Sequence, residues 1–326
     1  MSENRDNTVP IFKSALSLSG QVHILLFTLA MIITLVVVRE IILPDTDFRI
    51  DFERRILTNN IDPPYQYRIL KPLLADFIQT IVSPVVSSPR DRHILSYSLI
   101  VAVTFLGTFH LFFIYLRQFF TEAMSTIGVL LLAIVIPLSI TGYYMTGDFI
   151  TLFFYTLGFL LFHRGKDHYI PLLIGIAAFN REQIIFLILF YIIYLYSEKR
   201  LNERKSVAVI AASIAVYAAV YLGLRLYFGF KPDIHTMAYH IGHNINPKNL
   251  LNRIIPLWLA QVAGFVILSI YGFKRSGRFF QLSLFSLIAY LVLFFLKGNL
   301  WELAKFLPAY LILIPISLGS LTRSKI

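Results

Sequence analysis

The chain contains no cysteine, and only 14% of its 326 residues are charged. The first absence excludes a disulfide framework, a thiolate nucleophile and any Cys-ligated zinc or iron–sulfur centre. The second is low against about 25% in an ordinary soluble domain, and no long polar block exists to form such a domain. Internal repeats and low-complexity segments are lacking too. No small-x-small cleavage site follows the first apolar run, so that run reads as a retained helix, with Arg5 and Lys13 on its inner side, rather than a signal peptide. What remains is apolar: 57% of the residues are hydrophobic and 15% aromatic.

A membrane-crossing helix needs about 20 predominantly apolar residues. Candidate stretches run over 22–43, 93–116, 125–144, 149–163, 170–180, 182–196, 206–228, 253–272, 279–296 and 304–320. The expected fold is therefore an all-α polytopic membrane protein of about ten transmembrane helices, forming one domain over 1–326. The fourth, fifth and sixth stretches are short, as helices can be where they break beside a cavity. The net charge of +11 does not imply nucleic acid, because no basic helix or RNA-binding aromatic pattern accompanies it. Arg117, Arg164, Lys166, Lys199, Arg200, Arg204, Lys205, Lys274, Arg275, Arg278, Arg323 and Lys325 all fall on one side of the ten-span arrangement. That side is assigned as cytoplasmic, with both termini inside.

The longest polar interval lies in the first outer loop, 44–92. Near 71–85 it carries an amphipathic pattern, with Leu73, Leu74, Phe77, Ile78 and Ile81 on one side and Asp76, Gln79 and Thr80 on the other. This predicts a helix lying in the membrane interface, with a further span as the competing reading. The same outer face collects Asp148, Arg181, Glu182, the segment from His235 to His243, and Glu302.

Several of these residues can carry chemistry. Asp45 and Asp47 stand two apart just past a helix end. Such a pair can take a proton from a hydroxyl or share a divalent cation, Mg2+ or Mn2+, although no metal is required; a Pro-Asp turn that stops the helix explains them equally. Tyr65 and Tyr67 offer faces on which sugars stack, and Arg68 a fork for phosphate oxygens; an interfacial aromatic belt is the alternative. Asp148 either caps the next helix or joins a site with Arg181 and Glu182, ionisable groups that are costly at membrane depth. His240 and His243 lack a third ligand at metal spacing, so donor-phosphate contact or ordinary interface residues are favoured there. Glu302 and Lys305 can be a simple i,i+3 pair.

Taken together, these motifs resemble those of the GT-C membrane glycosyltransferases, which use polyprenyl-phosphate sugars. Asp45-Thr46-Asp47-Phe48 is similar to their first-loop acidic motif. Pro64-Tyr65-Gln66-Tyr67-Arg68-Ile69-Leu70-Lys71-Pro72-Leu73-Leu74-Ala75 is similar to a run in the first GPI mannosyltransferase and its bacterial relatives. Gly147-Asp148-Phe149, then Ala178-Phe179-Asn180-Arg181-Glu182, and Glu302-Leu303-Ala304-Lys305-Phe306-Leu307-Pro308 resemble bacterial members, although Lys305 stands one position past the family's Arg. The resemblance implies Asp47 or Asp45 as catalytic base. It implies Arg68, Arg181 and His243 at the donor phosphate, with Tyr65, Tyr67, Asp148, Glu182 and Glu302 around the substrate.

The expected partners are the bilayer, a polyprenyl-phosphate sugar donor and a lipid-linked or small acceptor, with the site on the extracytoplasmic side. The expected reaction inverts the anomeric centre. The alternative is a lipid-linked sugar flippase or polar-solute transporter, which would use the same buried charges and aromatic cleft.

Overall fold

The computed structural model describes residues 20–322; Arg5, Lys13, Arg323 and Lys325 of the orientation argument lie outside them. Among the described residues all regular structure is helical. In chain order the helices are α1 (Gly20–Val37, continued by a wider π turn, Val38–Ile42), α2 (Thr46–Leu57), α3 (Leu70–Val82), α4 (Pro89–Leu116), α5 (Glu122–Leu138), α6 (Thr146–His163) and α7 (Ile170–Ala178). They continue with α8 (Ile185–Ser197), α9 (Arg204–Phe228), α10 (Met237–Ile245), α11 (Pro247–Arg275), α12 (Arg278–Lys297) and α13 (Leu303–Thr322). Seven of these elements are long and apolar enough to cross a membrane, and α5, α7 and α8 are shorter apolar helices.

Burial sorts the long helices. The apolar window of α6 is 89% buried and that of α13 83%, against 11% for α9, 22% for α11 and 28% for α12. So α6 and α13 form the centre, and the outer three turn apolar side chains outward. Leu226, Ile270 and Ile288 are 74%, 66% and 60% exposed. An apolar surface of that extent requires lipid around it.

Local chemistry sets the boundaries. Ser88 accepts a hydrogen bond from the Asp91 amide and Pro89 opens α4; Thr121 does the same for Met124 at the start of α5. The third apolar stretch was expected to reach residue 144. Instead α5 stops at Leu138, with Pro137 in its last turn, and Gly142 is extended before a tight turn at Tyr143–Met145. The chain then enters α6 earlier than expected, so Asp148 lies inside the first helical turn rather than before it.

Two further features bear on the site. Pro256 interrupts α11, and the helix widens into π turns on either side, Leu250–Ile254 and Leu259–Ala263. Helix α7 rises only about 14 Å, and the chain breaks at Arg181, which is extended, before α8. Helix α3 forms at Leu70–Val82, close to its expected place. It packs Pro72 and Ala75 inward and leaves Leu73, Phe77 and Ile81 at 49%, 64% and 59% exposure.

Candidate functional site

The ends of α2, α6, α7, α8, α9 and α13 bring charge into one buried cluster. Helix α2 supplies Arg49, whose Nη1 donates to the carbonyls of Ile41 at 3.1 Å and Tyr143 at 2.8 Å. One turn on, Glu53 accepts from Lys71 of α3 at 3.1 Å and from the hydroxyl of Tyr97 in α4. Lys71 also donates to Thr146 at 3.3 Å. Burial lowers the Lys71 and Arg49 pKa values, an effect that Glu53 partly opposes in both.

The break between α7 and α8 carries the second group. Asn180 donates to the Gly147 carbonyl and to Thr151, each at 2.8 Å. This fixes the break against the first turn of α6. Arg181 then meets Asp148 at 2.8 Å, with the two side chains 5% and 0% exposed. Gly147 permits that approach, because a Cβ there would stand 3.2 Å from Arg181 Nε.

Glu182 does not pair with its neighbour. It faces Arg68 at 3.5 Å and Arg225 of α9 at 3.7 Å. The third group sits at the start of α13, where Glu302 accepts from Tyr144 at 2.7 Å and Asn299 at 2.8 Å and pairs with Lys305. Burial works against the Glu302 carboxylate, but Lys305 and these hydrogen bonds hold its pKa below the ordinary value.

Phe52, Ile56, Tyr65, Arg68, Lys71, Tyr144, Gly147, Asn180 and Arg181 enclose a cavity of about 30 Å³. That is room for little more than a water, so a larger ligand enters only if lining side chains move. In the lining Phe52 meets Tyr65 at 5.2 Å, and next to it Phe48 meets Tyr143 at 5.3 Å, ring centre to ring centre. Burial raises the Tyr65 pKa.

Six cations, Arg49, Arg68, Lys71, Arg181, Arg225 and Lys305, face four carboxylates, Glu53, Asp148, Glu182 and Glu302. Arg181 Nε, and Nε and Nη2 of Arg49, are buried without a hydrogen-bond partner. Of these two arginines only Arg181 lines the cavity, and a donor left idle there is suited to an anion.

Of the residues singled out from sequence, Arg68, Arg181, Asp148, Glu182, Glu302 and Tyr65 come together here. Tyr67 does not line the cavity. Its ring lies under Arg225 at 4.2 Å, and its hydroxyl donates to the Gly229 carbonyl at 2.8 Å. His243 stacks on Tyr239 at 4.3 Å and neighbours Trp301 at 5.7 Å, away from the cavity lining. His240 is tied to the cluster through Asn299, at 3.3 Å, and His93 lies against Tyr97, a partner of Glu53, at 4.6 Å between ring centres.

Asp45 and Asp47 also stand outside the lining. Asp45 precedes α2 in a left-handed conformation, and Asp47, 82% exposed, faces Arg90 at 3.7 Å. A metal at this pair would need further ligands, and no group of three or more His, Asp or Glu side chains suited to one occurs among the described residues. Sequence reasoning missed Arg225, although a lone arginine inside an apolar stretch is itself a signal. It also left Arg49, Glu53, Lys71 and Tyr144 out of the site, since nothing local announces partners 18 or 158 positions away.

Comparison of the chain with family models, with curated proteins and with solved structures gives no match.

Proposed function

We propose that this polytopic membrane protein is an inverting glycosyltransferase that takes a sugar from a polyprenyl-phosphate donor. The observation that carries the reading is a small cavity lined by three cations, Arg68, Lys71 and Arg181, with Arg181 Nε buried and without a hydrogen-bond partner. A phosphodiester would supply the missing negative charge there, and Arg181 and Arg68 would hold it. In the same reading all ten apolar helices cross or enter the bilayer, the basic loops face the cytoplasm, and the cavity opens on the other side. The exposed apolar stripe of α3, Leu73, Phe77 and Ile81, rests in the outer interface.

The proton acceptor is a first-loop carboxylate. The four acids of the cluster are each paired with a cation inside it, whereas Asp45 and Asp47 are exposed. They sit at the start of the helix that brings Phe52 and Ile56 to the cavity wall. The acceptor oxygen forms a bond to the anomeric carbon as its proton passes to that carboxylate. The bond from the anomeric carbon to the phosphate oxygen breaks, and its electron pair leaves with the phosphate, whose growing charge the arginines stabilise. Purified protein incubated with polyprenyl-phosphate hexoses and pentoses and a membrane lipid extract should give glycosylated lipid detectable by mass. Binding of the donor without transfer, combined with its translocation across a vesicle membrane, would instead establish the flippase reading.

A further inference from the structure

Because the charged cavity holds little more than a water, anything larger enters only when part of its wall moves. The lengths of the contacts distinguish the two sides. On one side Arg181 meets Asp148, and Asn180 meets Gly147 and Thr151, all at 2.8 Å. On the other, the connection 58–69 between α2 and α3 carries Tyr65 and Arg68 into the lining. Arg68 faces Glu182 at 3.5 Å, and Glu182 faces Arg225 at 3.7 Å. Ion pairs of that length between partly exposed side chains contribute little.

This second side is held down by the end of α9 and by residues 229–234 after it, which form a strap without helix or strand. Tyr67 is its main anchor. Arg225 lies over the Tyr67 ring at 4.2 Å. The Tyr67 hydroxyl donates to the Gly229 carbonyl at 2.8 Å and accepts from the Lys231 amide at 3.3 Å. Tyr67 also joins Leu224 and Phe228 in a small buried cluster separate from the main core. The Lys231 ammonium donates to Asn59 Oδ1 at 3.0 Å and to the carbonyls of Asn59 and Ile61 at 3.4 and 3.5 Å. The Ile234 amide donates to the Pro63 carbonyl at 3.4 Å. The strap thus crosses the connection at Asn59, Ile61, Pro63 and Tyr67.

Its backbone suits a hinge. Midway along α9, Val216 packs closely on α7, since a Cβ at Gly175 would meet it at 2.8 Å. Over its apolar window α9 is only 11% buried. At its end Gly229 takes φ 88° and ψ 152°, a region open in practice to glycine alone. Space is not the reason for glycine there, because a Cβ would meet nothing within 4 Å. The backbone angle is, and with it the Gly229 carbonyl reaches Tyr67.

We propose that the strap, residues 229–234 with the last turn of α9, gates the charged cavity. Shut, it holds Tyr65 and Arg68 in the lining. Released, it frees Tyr67, and Tyr65 and Arg68 swing away from Arg181. The Leu70 amide, bonded to the Phe179 carbonyl at 3.0 Å, marks the fixed end of the moving piece. Gln66 donates to the Ile56 carbonyl at 2.9 Å and so couples the movement to the end of α2, where Phe52 and Ile56 line the cavity. The gate controls access whatever the cavity binds, so it stands or falls apart from sugar transfer.

The absence of cysteine from the chain makes the gate measurable. Ile56 is a lining residue only 2% exposed. In Ile56→Cys protein, purified in lipid nanodiscs, the thiol should react slowly with N-ethylmaleimide, which is too large for the shut cavity. Adding Tyr67→Phe and Lys231→Ala removes the hydroxyl and ammonium contacts of the strap and should speed the reaction about tenfold. Adding Gly229→Val instead disfavours the turn while meeting no neighbour, and should speed it similarly. Ala30→Cys, at a fully buried position in α1, reports general loosening and should stay unreactive in both backgrounds. An unchanged rate at Ile56→Cys in either background, or equal acceleration at Ala30→Cys, would overturn the inference.

Discussion

Arg181 is the residue on which the site turns. Its guanidinium neutralises Asp148 on one edge and leaves Nε idle on another. Arg181→Lys keeps the charge and loses the planar fork. Donor KM should rise about tenfold with only a small change in melting temperature; an unchanged donor KM would remove Arg181 from phosphate binding. Arg181→Ala is a different experiment. It strands Asp148 and should cost about 3–5 kcal/mol of stability. His240 contributes one part of the pH dependence. Burial lowers its pKa, so below about 6.5 the unfolded chain takes up a proton that the folded chain refuses. Stability therefore falls as pH drops through that value, and the loss levels off below the folded pKa. The melting temperature of wild type should decline from pH 7.5 to 5 more steeply than that of His240→Gln, and equal slopes would show that this ring does not titrate with unfolding. The single letters identified Arg68, Arg181 and Glu302 as candidates because charge in an oily chain is conspicuous. They could not say that Tyr67 is spent on Arg225, because that arginine comes 158 positions later.

At the scale of elements, α2 is the piece that composition alone would have left as loop. It is polar along most of its length, and it is held by Arg49 to the carbonyls of Ile41 and Tyr143 and by Glu53 to Lys71. Glu53→Ala leaves Lys71 buried and unpaired, and should cost about 3 kcal/mol or more, read as a lower melting temperature in detergent. A shift too small to measure would mean that α2 is not docked in this way. The apolar helices were legible because about 20 oily residues in a row have few alternatives. Their ends were less so. Pro137 and Gly142 moved the α5–α6 junction, and two π turns carried α11 past Pro256. The short α7 and α8 were read correctly as short, and the break between them is what places Asn180 and Arg181 against Gly147.

For the whole molecule, sidedness is the first matter to establish, and the absence of cysteine makes it accessible. Asp47→Cys should react with a membrane-impermeant maleimide added outside intact cells, and Lys199→Cys only after the membrane is opened. The reverse pattern would place the cavity at the cytoplasmic face. The global arrangement, six cations against four acids with a small cavity beside Arg68, Lys71 and Arg181, depends on contacts between residues far apart in the chain, so only the outline of a charged site was visible beforehand. The most direct measurement is transfer of labelled sugar from polyprenyl-phosphate hexose to lipid by purified wild type and by Asp47→Asn and Asp45→Asn, with donor binding followed in parallel. The account predicts turnover by wild type, and loss of at least a hundredfold in kcat with donor Kd within about threefold in one of the two variants. Donor binding with no transfer by wild type, or full turnover by both variants, would contradict it.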